Sequence, residues 1–218
     1  LYSYTLYVDG QKMMDPSNIY QNRDIATWTN IFTLCAEKGD KGWYYQVNDT
    51  PHGNVSKVWY DSPTLGTQRR MTVYTPAGYE KNTETKYPVL YLIHGMTDTY
   101  ETWFKVGKVN VILDNLIAQG KCEPMIVVMT NGNAWQTAAV GEAAGGMVQP
   151  SMRGNANVRP AASFEQPFGD VIKFVASNYR VIKQKSARAI AGLSMGGGGS
   201  TSYAQRHADM FCACYAMS

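Results

Sequence analysis

The sequence lacks the marks of several classes of protein. No apolar run approaches the roughly 20 residues that a membrane helix needs, and no dense stripe of Lys and Arg accompanies the net charge of +3. We therefore expect neither a membrane-spanning chain nor a nucleic-acid partner.

Cysteine is scarce in the chain. The four cysteines are Cys35, Cys122, Cys212 and Cys214, and they form no C-x-x-C motif and have no histidine cluster beside them. We therefore expect no zinc site and no metal. Cys212 and Cys214 would point to one face of a strand about 6.6 Å apart, an awkward separation for a bridge. All four are predicted to be free, small, buried residues, which leaves the redox state and the compartment open.

Hydrophobic residues make up 44% of the chain and charged residues 17%, as in globular proteins. Strand-like and helix-like segments alternate from about residue 57 onward. Strands are predicted at 58–60, 70–75, 88–94, 125–130, 188–193 and 210–217, and helices at 106–117, at 168–175 and after residue 194. This order predicts an α/β fold, a mainly parallel sheet with helices on both faces.

The first 50 residues have a different pattern. Residues 2–8 alternate as a strand does, Asp9-Gly10 is a turn signal, and Ile31–Leu34 suggests a further strand. We predict two parts, a partial β-sandwich-like module over residues 1–50 and an α/β domain over residues 51–218.

The segment Ala189–Gly197 carries the clearest chemical signal. An apolar run enters Gly192-Leu-Ser194-Met-Gly196, the G-x-S-x-G pattern of a nucleophile elbow. Such a turn presents a serine hydroxyl at the edge of a sheet, and glycine is needed on both sides because the turn is tight. Ser194 is therefore the predicted catalytic nucleophile.

A serine nucleophile needs donors for the negative oxygen of the tetrahedral intermediate. The backbone N–H of Met195, directly after Ser194, is one candidate. The second is the N–H of Met96, in the His94-Gly95-Met96 turn after the first buried strand. Each such donor is worth about 3 kcal/mol of barrier.

The three histidines do not supply a base in this reading. His94 is expected to have a structural role beside the oxyanion turn, and His52 lies in a connector. His207 follows Ser194 along a helix, roughly 20 Å away along the axis. Asp209 is the only acid after Ser194, and it follows His207. We therefore expect an incomplete α/β-hydrolase fold that lacks the triad Asp and His, is nearly inactive alone, and self-associates through an apolar edge at 211–217.

Several segments together resemble the esterase D-like carbohydrate esterases, in particular bacterial feruloyl and acetyl-xylan esterases. The segments that carry the resemblance are 51–53, 58–60, 65–66, 69–74, 75–79, 87–95, 101–103, 110–120 and 189–197. Residues 1–50 are similar to the end of an immunoglobulin-like or glycogen-binding-type module. The resemblance implies a secreted or periplasmic serine esterase without a cofactor, acting on ester-decorated plant polysaccharide, above all xylan.

Two tryptophans are candidate substrate-binding residues in this family setting. Trp103 and Trp135 could offer aromatic faces to a feruloyl ring or a sugar, although core packing is the stronger expectation for Trp103. Trp135 belongs to a long segment, residues 131–163, which we expect to form a wall of the substrate cleft.

Two other functions remain open from the sequence. One is a non-catalytic carbohydrate-binding remnant that kept the fold. The other is a different acyl-processing enzyme that shares the elbow, such as a thioesterase or an acyltransferase.

Overall fold

Five short strands in two small antiparallel sheets begin the chain. The computed structural model describes residues 1–24, 27–34, 40–96, 98–134 and 165–218. The strands are β1 (Tyr2–Tyr4), β2 (Leu6–Val8), β3 (Gln11–Met13), β4 (Gln21–Asp24) and β5 (Thr27–Phe32). One sheet has the order β1-β5-β4, and β2 pairs with β3. The single strand predicted at 2–8 is therefore divided, because β1 pairs with β5 while β2 turns back at Asp9-Gly10.

A six-stranded sheet forms the centre of the α/β part. Its strands are β6 (Asn54–Ser62), β7 (Thr67–Thr75), β8 (Val89–Ile93), β9 (Ile126–Thr130), β10 (Arg188–Leu193) and β11 (Ala213–Met217). Their order across the sheet is β11-β10-β8-β9-β7-β6. The first four of these are mutually parallel, and β7 and β6 continue the sheet as an antiparallel hairpin.

Helices cover both faces of this sheet. They are α1 (Thr102–Lys105), α2 (Val109–Ala118), α3 (Glu165–Asn178) and α4 (Met195–Arg206), with short 3-10 turns at Lys41–Tyr45 and Lys185–Ala187. Side chains of α1 and α2 pack on one face, among Tyr74, Leu92 and Met129. Side chains of α3 and α4 pack on the other face, around Tyr91 and Val128. The predicted α/β-hydrolase-type fold is confirmed.

The connections define where a ligand would bind. The chain leaves the carboxyl end of β8 toward α2 on one face, and it leaves β10 toward α4 on the other. Open α/β sheets bind ligands in the crevice at such a switch point, outside the carboxyl ends of the strands. The predicted oxyanion turn follows β8 and Ser194 follows β10, so both lie at this crevice.

A buried carboxylate fixes α2 to the sheet. Asp114 accepts hydrogen bonds from the Tyr74 hydroxyl at 2.7 Å and from the Gly53 N–H at 2.9 Å. Its other oxygen lies 3.0 Å from Nδ1 of the half-exposed His52. Burial and the carboxylate raise the pKa of Tyr74, which keeps the phenol protonated as a donor.

The segment before the predicted boundary at residue 50 also packs on α2. Asn115 donates to the carbonyls of Tyr44 and Gln46 at 3.0 and 2.9 Å, and it accepts from Asn48 at 3.0 Å. The division into residues 1–50 and 51–218 stays a prediction.

The prediction that the cysteines are buried is wrong for two of them. Cys212 and Cys214 are exposed, and Cys122 is partly buried. The reason is that β11 is the outermost strand of the described sheet, and only its last residue is partly covered. All three are free thiols, and Cys35 lies outside the described residues.

Candidate active site

Ser194 lies in the sharp turn between β10 and α4. Its backbone has φ 52° and ψ −114°, a left-handed conformation that residues with a Cβ rarely adopt. Its N–H donates to the Met217 carbonyl at 2.7 Å, and its carbonyl accepts from the Gly198 N–H at 2.9 Å. These bonds hold a residue whose conformation costs about 1–3 kcal/mol. The elbow geometry predicted from the motif is therefore present.

The glycines around Ser194 allow backbone to meet backbone. A Cβ on Gly192 would lie 2.2 Å from the Gly196 carbonyl oxygen. A Cβ on Gly196 would lie 2.5 Å from the carbonyl oxygen of His94 and 2.6 Å from that of Ile93. The start of α4 thus packs directly on the end of β8, which brings the nucleophile beside the oxyanion turn.

The two predicted oxyanion donors belong to these adjoining segments. A Cβ on Gly95 would lie 3.7 Å from the Leu193 carbonyl oxygen, so the peptide before Met96 is close to the elbow. Met195 is the first residue of α4, where N–H groups have no partner within the helix and the helix dipole favours negative charge. The roles of the Met96 and Met195 N–H groups stay predictions, and this arrangement supports them.

His94 is buried beneath the oxyanion turn. Its Nδ1 lies 2.6 Å from the Gly95 carbonyl, and its Nε2 lies 3.0 Å from the Gly132 N–H. Nε2 also lies 3.0 Å from the Asn131 side-chain oxygen. Because the Gly95 carbonyl can only accept, the proton of the neutral ring is assigned to Nδ1, which donates to Gly95, and Nε2 accepts from the Gly132 N–H. The Gly95 carbonyl and the Met96 N–H belong to one peptide plane and point in opposite directions. His94 therefore fixes the direction of the Met96 N–H.

The protonation of His94 gives stability a pH dependence. Burial lowers the pKa of His94 below its ordinary value of 6.5. Below pH 6.5 the unfolded chain binds a proton there that the folded chain does not. The contribution of neutral His94 to the free energy of unfolding is therefore fully present above pH 6.5. As the pH falls below 6.5, the free energy of unfolding decreases by up to about 1.4 kcal/mol per pH unit. Urea midpoints measured at pH 7.5, 6.5 and 5.5 should fall more steeply with decreasing pH in wild type than in His94→Gln, because the variant lacks the titrating imidazole. Equal slopes in both proteins would contradict the assignment.

The other two histidines are bound elsewhere. His52 lies against Asp114, and His207 packs on the Tyr203 ring with 4.4 Å between ring centroids. In the part of the chain that the structure describes, no hydrogen bond or ion pair joins a histidine or a carboxylate to Ser194, whose bonds run to the Met217 carbonyl and the Gly198 N–H. Across the same residues, no group of three or more His, Cys, Asp or Glu could hold a metal ion. None of the described helices combines the length and apolar character needed to cross a membrane.

The candidate substrate-binding tryptophans have different outcomes. Trp103 in α1 is partly buried and packs against the apolar cluster beneath α2. Its indole N–H is buried and has no hydrogen-bond partner among the described residues. Its role toward substrate stays a prediction. Trp135 and the cleft wall predicted over residues 131–163 lie outside the described residues, except for the turn at 131–134.

Sequence reasoning missed Arg69, which organises that turn. The guanidinium is buried and donates to the Asn133 carbonyl at 2.9 Å, with the Asn131 and Ala134 carbonyls each at 3.5 Å. His94 binds Gly132 from the other side. A signal was present in the strand alternation, which places Arg69 on the same face as the buried Met71.

The family model named Esterase, described as "Putative esterase", matches residues 62–218 of this chain. The chain belongs to the esterase family. This family match covers β7, the oxyanion turn and the whole elbow.

Two curated relatives combine similar sequence with longer chains. The endo-1,4-beta-xylanase/feruloyl esterase of Xylanibacter ruminicola is 32% identical over 214 residues, which cover 95% of this chain and 27% of that protein. The endo-1,4-beta-xylanase Y of Acetivibrio thermocellus is 31% identical over 164 residues, which cover 69% of this chain and 13% of that protein. This esterase chain thus spans about a quarter, or less, of these relatives.

Solved structures share the fold. A ferulic acid esterase matches with a TM-score of 0.62 and 39% identity, covering 78% of this chain and 59% of that one. A CE1 ferulic acid esterase from the anaerobic fungus Anaeromyces mucronatus matches with a TM-score of 0.60 and 23% identity, covering 81% and 62%. The second likeness concerns the fold alone. Together with the family match, these findings support an esterase of the serine-hydrolase type.

Proposed function

We propose that this esterase removes feruloyl or acetyl groups from plant cell-wall polysaccharide, above all xylan, through an acyl-enzyme intermediate. The observation that carries the proposal is Ser194, held in a left-handed turn beside the Gly95–Met96 peptide. The names of the relatives and of the similar structures support the substrate class. A polymer of this kind lies outside the cell, which is the ground for proposing a secreted or periplasmic location.

The proposed reaction has two halves. The Ser194 oxygen attacks the ester carbonyl carbon as a base takes its proton. The Met96 and Met195 N–H groups bind the negative oxygen that forms. The bond to the sugar oxygen then breaks, the base returns the proton to that oxygen, and the sugar hydroxyl leaves. Water repeats the sequence on the acyl-serine and releases the carboxylic acid.

The surroundings of Ser194 favour the larger, aromatic acyl group. Met96 is 47% exposed and Leu193 is 37% exposed on the two segments that meet at the elbow. A feruloyl ring can bury more of the apolar surface of these two side chains than an acetyl group can, and so gains more binding free energy. We therefore propose feruloyl esters as the preferred substrates.

We propose further that the catalytic base and its acid partner come from outside these 218 residues. All three histidines of the sequence are described, and each has partners away from Ser194. If another part of the natural polypeptide supplies the base and its acid partner, this chain supplies the nucleophile and the oxyanion donors, already in position.

Covalent labelling tests this proposal directly. A fluorophosphonate reacts with a serine that a base activates, displacing fluoride and adding a phosphonyl group to the oxygen. Mass spectrometry should find Ser194 labelled in the full natural polypeptide and unlabelled in the 218-residue chain. The same polypeptide should hydrolyse methyl ferulate faster than aryl acetates and acyl thioesters. Labelling of the short chain would overturn the external base, and a preference for thioesters would favour the thioesterase alternative.

A further inference from the structure

An exposed aromatic side chain lies on the hairpin formed by β6 and β7. Trp59 is 48% exposed and is the cross-strand partner of Arg70, whose guanidinium carbon lies 5.2 Å from the centre of the indole ring. Because side chains alternate along a strand, Lys57 and Asp61 share the face of Trp59. Gln68, opposite Asp61, donates to its carboxylate at 3.2 Å. This face therefore combines an aromatic ring with a rim of charged and amide groups.

The hairpin that carries Trp59 is anchored on its opposite face. The Ser62 hydroxyl and the Thr64 N–H donate to the Asp170 carboxylate of α3 at 2.8 and 3.0 Å. Leu65 is buried against Ala134. These contacts hold the hairpin in place before any ligand arrives, which lowers the entropic cost of binding.

The hairpin extends beyond the catalytic edge of the sheet. Thr130, the last residue of β9, pairs with Met71, so the part of the hairpin from Trp59 to Arg70 runs past the end of β9. Ser194 follows β10 at the same edge. Four strand spacings of about 4.8 Å separate β10 from β6, which places Trp59 roughly 19 Å from the nucleophile across the sheet.

An ion pair joins the Trp59 face to the oxyanion segment. Lys57 Nζ lies 2.6 Å from the Glu101 carboxylate, and Glu101 directly precedes α1 in the segment that follows Met96. Glu101 also binds Lys105 at 2.7 Å. The strand face that carries Trp59 is thus bonded to the segment that leads into α1.

We propose that Trp59 is a distal sugar-binding platform for the main chain of the polysaccharide. A pyranose ring has an apolar C–H face and a rim of hydroxyl groups. These match the exposed part of the indole, which has the Arg70 guanidinium over one side and Asp61 and Gln68 beside it on the same strand face. The inference rests on the proposed function, because it takes a polymer as the substrate.

Binding of a sugar without an ester tests the platform separately from hydrolysis. The probe is linear β-1,4-xylohexaose, titrated into the 218-residue chain and followed by calorimetry. Trp59→Ala should raise the Kd about five- to tenfold, which corresponds to the loss of one aromatic stacking contact. Trp59→Phe keeps an aromatic face and should stay within about twofold of wild type. Trp28→Ala, which removes a tryptophan of similar exposure (43%) on the N-terminal sheet, should leave the Kd unchanged.

The outcomes separate the two proposals. Absence of saturable binding by wild type, or an equal loss in Trp59→Ala and Trp28→Ala, overturns the platform and leaves the esterase proposal standing. In the active polypeptide, Trp59→Ala should raise KM for a feruloylated xylo-oligosaccharide and leave kcat and the methyl ferulate kinetics unchanged. An equal loss on both esters would mean a structural role and would also overturn the platform. Trp59-dependent binding of xylohexaose, together with no hydrolysis of any ester by the natural polypeptide, would refute the esterase proposal alone.

Discussion

Ser194→Ala should lower the turnover of feruloyl esters at least a thousandfold and leave the folded structure intact. The alanine removes the only atom that forms the acyl bond in the proposed reaction, and losses of this size are usual for a serine nucleophile. The hydroxyl is not needed for the turn, because the hydrogen bonds that hold the elbow run through the Ser194 backbone N–H and carbonyl. The measurement is kcat/KM for methyl ferulate in the natural polypeptide, together with the melting temperature.

The matched control for this prediction is Ser202→Ala. Ser202 lies on the same helix, α4, about 12 Å further along the axis. Its substitution should change neither kcat/KM nor the melting temperature appreciably. Turnover by Ser194→Ala within tenfold of wild type would refute the assignment of the nucleophile.

Gly196→Ala should destabilise the protein by about 3 kcal/mol or more. The new Cβ would lie 2.5 and 2.6 Å from two backbone carbonyl oxygens at the end of β8, and backbone atoms cannot yield as a flexible side chain can. In a domain of this size, that loss corresponds to a fall of roughly 10 °C in Tm. Thermal unfolding followed by circular dichroism checks it.

Gly198→Ala, two residues further along the chain, should have the opposite effect on stability. Gly198 lies inside α4, and a Cβ there meets nothing within 4 Å. The substitution should stabilise the protein by about 0.5–1 kcal/mol, because alanine favours helix over glycine. Similar effects of the two substitutions would mean that the close approach of α4 to β8 does not exist.

The elements that the sequence predicted well are those with strong local signals. The apolar runs at 88–94, 125–130 and 188–193 became β8, β9 and β10 because strands covered on both faces must be apolar throughout. Gly120 ends α2 as expected. Its φ is 64°, and the N–H of the next residue, Lys121, donates back to the Leu116 carbonyl in the last turn of the helix. The position of Ser194 followed from the glycine spacing together with the apolar run before it and the helical segment after it.

The features that the sequence did not predict depend on contacts between distant segments. Nothing near Asp114 in the chain indicates that Tyr74 and Gly53 will surround its carboxylate. The exposure of Cys214 depends on which strand lies outermost in the sheet, and strand order is not a local property. Trp59 looks like any aromatic strand residue until the register shows how far the hairpin passes β9.

The backbone of Ser194 has a consequence for how this sequence was selected. A residue at φ 52° and ψ −114° is one where glycine would serve the fold better, since only the Cβ makes that conformation costly. Selection for stability alone would favour glycine at position 194. The serine therefore lowers the stability of the folded chain, and its presence at this position indicates selection for a reactive hydroxyl at the expense of stability.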